Sequence, residues 1–142
     1  MANEITIQSK LTATKGGSSV TNYTSDFTIS MNTALTKMAN LVQGVGTVRE
    51  AVEVGDVDIT NATGDEYWIR LTNNDSTNFV TVEVRTGAST YMVVGKMYAG
   101  ETWGPARLPK LDASGYNGIY LTADTAACDV DVTICEAGDP AS

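Results

Sequence analysis

The sequence predicts an all-β protein of about nine strands, with a sandwich, a jelly roll or a small barrel as the architectures open to it. Three observations point there. Apolar and polar residues alternate with period two in segment after segment, as half-buried strands require. The composition favours Thr and Val and includes 13 Gly, with few strong helix formers. Clusters of Gly, Asn, Asp and Ser break the alternation every roughly 8 to 12 residues, the rhythm of strands joined by turns. At 142 residues, 42% of them apolar and 18% charged, the chain has the size and composition of one globular domain.

The elements follow in order. Glu4–Leu11 alternates and meets the polar cluster Lys15-Gly16-Gly17-Ser18-Ser19, giving a strand and then a loop. Phe27–Met31 alternates again. Beyond it Leu35, Met38, Leu41, Val42 and Val45 fit helical spacing as well as any other. The glycines of Gln43-Gly44-Val45-Gly46 favour extended backbone there, with one helical turn over Ala34–Asn40. From Glu50 onward strand follows strand. Ala51–Val54 stops at Gly55-Asp56, and Tyr67–Leu71 stops at Asn73-Asn74-Asp75-Ser76. Phe79–Arg85 turns Val80, Val82 and Val84 to one face and Thr81, Glu83 and Arg85 to the other. Tyr91–Val94, Met97–Glu101, Trp103–Pro109, Ile119–Ala123 and Cys128–Cys135 complete the set, and 137–142 is a short tail.

The formal charge of −8 disfavours nucleic acid, because affinity for phosphates comes from clustered Lys and Arg. The nine cations are scattered, so anionic membrane surfaces are disfavoured too. The start Met1-Ala2-Asn3-Glu4 has no basic and apolar leader, and no run approaches a membrane span. The expectation is therefore a protein that is made and stays in the cytosol, or leaves it by assembly or cell lysis, without a secretory route. The sequons at Asn22, Asn61 and Asn74 then carry little meaning.

A search for chemistry finds little. With no His, the usual general base, the Ser-His and Cys-His pairs and the commonest metal ligand are missing together. Cys128 and Cys135 end one alternating run. Seven steps along a strand put them about 23 Å apart on opposite faces, beyond the roughly 7 Å a disulfide spans. Cys128 shares the face of Val130, Val132 and Ile134 and reads as a small core residue. Asp129 with Asp131, and Asp56 with Asp58, would project to one side of a strand. A solvated face is the stronger reading of each pair, against calcium binding or acid–base work. Tyr67, Trp68, Tyr91, Tyr98, Trp103, Tyr116 and Tyr120 could stack sugars, but core or subunit interface is the stronger reading. No residue is assigned as catalytic, cofactor-binding or metal-binding, and no cofactor is expected.

Three stretches carry a resemblance: Val45–Val57, Leu71–Val80 with its Asn73-Asn74-Asp75-Ser76-Thr77-Asn78 loop, and Ala99-Gly100-Glu101 with Ala106-Arg107-Leu108. With the closing Leu121–Ala127 and Ile134-Cys135-Glu136, residues 45–136 resemble small virion structural proteins of tailed bacteriophages. The resemblance implies an antiparallel β-sandwich core, of jelly-roll type, over 45–136, with an N-terminal strand or arm region over 1–44 used in assembly and the tail at 137–142. It implies a non-enzymatic capsid decoration protein on the virion exterior, stabilising the head. Its partners would be the major capsid protein or neighbouring virion proteins, and it would form a homo-oligomer, a trimer by preference. The alternatives are a neck or tail component, a carbohydrate-binding module of a receptor-binding structure, or an unrelated bacterial interaction domain.

Overall fold

Alternation becomes strand throughout the computed structural model, which describes residues 4–30, 37–60 and 66–136. The described residues are all-β, with ten antiparallel strands and no helix. Strands β1 (Glu4–Lys15) and β2 (Ser18–Ser30) form a two-stranded sheet of their own. The other eight are β3 (Met38–Val45), β4 (Glu50–Ala51), β5 (Glu66–Asn73), β6 (Val80–Arg85), β7 (Tyr91–Met97), β8 (Thr102–Pro109), β9 (Ile119–Ala123) and β10 (Cys128–Glu136). They make two four-stranded sheets, ordered β3-β10-β5-β8 and β4-β9-β6-β7, which face each other as a β-sandwich. Pairing is nested: β6 pairs with β7, then β5 with β8, β4 with β9, and β3 with β10.

The core is the set of inward positions from both sheets. Tyr67, Ile69 and Leu71 of β5 and Val130, Val132 and Ile134 of β10 meet Val80 and Val82 of β6, Met97 of β7, and Ile119 and Leu121 of β9. Each aliphatic side chain so buried contributes about 1.5–3 kcal/mol before entropy is counted. Cys128 is a buried core residue and Cys135 lies on the opposite face; both thiols are free.

Several elements differ from expectation. The polar cluster after Leu11 is no loop: β1 runs to Lys15 and β2 starts at Ser18, so only Gly16-Gly17 turns. Both glycines have positive φ, 58° and 83°, the geometry of a two-residue hairpin turn. Met38–Asn40 is strand rather than helix. Its partners are Cys135, Ile134 and Thr133, and it turns Ala39, Leu41, Gln43 and Val45 inward, leaving Met38 and Val42 outside. Those two exposed apolar side chains produced the helical spacing. Lys37 is not helical either, its carbonyl accepting from the Glu136 N–H (3.1 Å), while 34–36, Met31, Asn61 and the tail at 137–142 lie outside the described residues. Strand β3 also belongs to the sandwich, so the arm proper is β1–β2 and the body begins at Met38.

The strand expected over Ala51–Val54 shortens to Glu50–Ala51. The Val52 N–H still donates to the Ile119 carbonyl of β9 (2.9 Å), but beyond it the backbone leaves β9, and on its other side it is held by the buried Gln43 amide. Its Nε2 donates to the Ala51 carbonyl (3.0 Å), and its Oε1 accepts from the Glu53 N–H (2.8 Å). A side chain thus replaces a strand partner. The clearest predicted strand, β6, turns its residues as expected, but Glu83 is buried, because Arg49 closes over it with two contacts of 2.6 and 3.0 Å.

Candidate interaction surface

The arm is the most exposed element. Its Thr-rich, β-branched strands favour extended backbone, and Thr12 and Thr21 pair their hydroxyls across it at 3.3 Å. At its base Ile5 is buried and Ile7 half-buried, against Trp68, Thr133, Cys135 and Pro105 on the outer face of the β3-β10-β5-β8 sheet. Every residue from Gln8 to Asn22 is exposed. At about 3.4 Å per residue, Ser9–Lys15 extends roughly 20 Å past the base contact. Leu11 is 71% and Val20 72% exposed, far beyond what a buried-face position would show.

The outer face beneath the arm is set by register. Cys135 lies between Met38 and Trp68, Thr133 between Asn40 and Arg70, Asp131 between Val42 and Thr72, and Asp129 beside Gly44. The arm base packs by Trp68, Cys135 and Thr133. Among the described residues, the arm residues beside it line no cleft with Val42, Asp131 or Asp129, of which Val42 and Asp129 are exposed and Asp131 half-buried. The Trp68 Nε1–H is buried without a hydrogen-bond partner in the cleft there.

The opposite outer face is locked by aromatic and cationic side chains. The Arg49 guanidinium stacks on Tyr91 at 3.9 Å, and Tyr91 meets Tyr120 edge-on at 5.0 Å. Lys96 lies over Phe79 at 3.8 Å, and Arg85 faces the Tyr116 ring. The free edge of β7 is apolar, with Met92, Val93 and Val94 exposed, whereas the β8 edge is interrupted by Pro105 and Pro109.

The seven aromatics do not form one platform. Tyr67 is in the core with its hydroxyl unpartnered and pushed up to about 12 by burial. Trp103 packs on Gly95 between the sheets, Trp68 lies under the arm, and the other tyrosines are spread over the opposite face. Asp129 and Asp131 do share the outer face of β10. Asp56 and Asp58 share no strand, because β4 ends before them, and Asp58 instead accepts from the Thr60 N–H and hydroxyl, which holds its carboxyl below the ordinary range. Among the described residues no group of three or more Cys, Asp or Glu is placed to hold a metal ion. Burial pushes both thiols up, with nearby Asp75, Asp124 and Asp129 adding to the effect at Cys128, so at neutral pH neither is a nucleophilic thiolate. No helix among the described residues is long and apolar enough to cross a membrane.

What this surface can do is pack. Leu11, Val20, Met38 and Val42 went unmarked in the sequence reading. The signal that finds them is an apolar residue in an alternating strand that no core claims. The chain matches no protein-family model, no curated protein and no solved structure.

Proposed function

We propose that this chain is a non-enzymatic structural protein of a tailed-phage virion, a decoration protein seated on the outer surface of the head. One observation supports this above the others: a roughly 20 Å hairpin with exposed apolar residues projects from a well-packed sandwich. A two-stranded ribbon is marginal alone in water, so such an arm is completed by what it binds. The nested pairing of the eight body strands is that expected of a jelly roll, an architecture common among capsid proteins. The acidic charge suits an outward position rather than contact with packaged DNA. The dispersal of the aromatics weighs against a sugar-binding platform.

The test is co-sedimentation of the full chain with DNA-free heads of the phage whose genome encodes it. Saturable binding in fixed proportion to the capsid protein is the expected result. Absence from heads, or attachment to tails alone, would overturn the decoration reading.

A further inference from the structure

We propose that the distal half of the arm of one copy docks on the rows through Asp131 and Asp129 of the outer β3-β10-β5-β8 face of a second copy. The proposal rests on reading the arm as an assembly element, and it names what the arm binds.

The arm supplies an apolar strip flanked by positive charge. The odd positions of β1 share one face. Ile5 and Ile7 bury theirs against the body; the pairing then shifts by one residue between Ile7 and Ser9, the extra residue falling in β2, and Leu11 and Ala13 carry the odd positions of β1 on into solvent, with Val20 directly opposite Ala13. The face that already fits one part of this sheet is thus repeated, unsatisfied, further along. Between Glu4 and Asp26 the only charged residues are Lys10 and Lys15. Lys15 stands on the apolar face, and the four-carbon stem of Lys10 lets its ammonium reach round from the next position.

The sheet supplies the complement. In the rows away from the arm base, Val42, 61% exposed, lies beside the half-buried Asp131, and the exposed Asp129 follows. Of the 17 acids in the chain, all but Glu4 and Asp26 lie at or beyond Glu50. Two copies with a charge of −8 each repel in most orientations, but a cationic arm meeting an acidic body attracts. The occupant is a second copy because the arm residues and Val42 are exposed together in one chain, so no chain covers its own face.

Sedimentation velocity of the full chain at about 0.1 M salt tests this, since charges within about 10 Å still interact there. Reversible self-association is expected. K10E/K15E and D129K/D131K should each raise the dissociation constant at least about tenfold. Mixing these two variants should restore association, because each then offers the other a surface of opposite sign. L11D/V20D should be monomeric, with circular dichroism confirming that every variant is folded. A wild-type chain that stays monomeric to about 0.5 mM, variants that associate like wild type, or a mixture no tighter than its components would each overturn the proposal. Self-association without head binding would sink the decoration reading alone; head binding by a monomer would sink this one alone.

Discussion

Gly95 in β7 is a glycine because Trp103 of β8 occupies the space a side chain would need. A Cβ built there stands 2.4 Å from Trp103 Cδ1 and 2.6 Å from Nε1, well inside contact distance. Gly95 is not held at positive φ, so alanine fits the backbone and gains about 0.5–1 kcal/mol from the unfolded chain. Against that, the indole must leave its position, and overpacking of this kind costs about 1–3 kcal/mol. Gly95→Ala should therefore destabilise by a net 1 kcal/mol or somewhat more, about 4 °C in Tm for a domain of this size. Trp103→Leu alone should cost about 3 kcal/mol through the lost ring. Joined to it, Gly95→Ala should become neutral or stabilising, because the clash has gone. Urea unfolding of the four chains measures the coupling directly. Costs that add to within about 0.5 kcal/mol would refute the steric account.

Two further outcomes are expected. Asn73 is fully buried; its Nδ2 donates to the carbonyls of Asn78 (2.9 Å) and Met97 (3.1 Å), and its Oδ1 accepts from the Asp75 N–H (3.0 Å). Asn73→Ala removes three hydrogen bonds and orphans their partners, so urea unfolding should show a loss of about 3 kcal/mol; a loss under about 1 would contradict it. Asp75 accepts from the N–H groups of Asn78 and Thr77, which hold its carboxyl below the ordinary 3.8. A depressed carboxylate stabilises above its unfolded value and loses that effect as the pH falls through its folded one. Thermal melts of wild type and Asp75→Asn should differ by a constant amount at neutral pH and converge below 3.8; a gap unchanged in acid would exclude this role.

The strands from Tyr67 onward were legible because alternation is local. Val80, Val82 and Cys128, Val130, Val132 and Ile134 announce their buried faces without knowledge of their neighbours. The sandwich followed from the count and rhythm of such segments. The start of β3 misled because Met38 and Val42 are apolar yet exposed, so hydrophobicity no longer marked the inner face. The pattern over Ala51–Val54 could not reveal that pairing with β9 stops after the Val52 N–H and that the Gln43 side chain takes the Ala51 carbonyl and the Glu53 N–H. Gly16-Gly17 was legible as a turn, but not as the two-residue turn that makes one long hairpin of the strands on either side of it. The interaction surface was least legible. It depends on Asp131 lying beside Val42 and Thr133 beside Arg70, pairings between segments far apart in the chain.

The nested strand pairing also fixes an order of events during folding. The β6–β7 hairpin is local and can close within microseconds, as can the arm, whereas each outer pair must wait for a longer loop. The last to form joins β3 to β10, the two ends of the body. A nascent chain thus has both strands of its arm long before β10 leaves the ribosome, while the surface that β10 helps to build does not yet exist. Under the docking proposed above, synthesis itself would keep the arm of one chain from engaging an incomplete neighbour, and assembly would begin only among chains that have been read to the end.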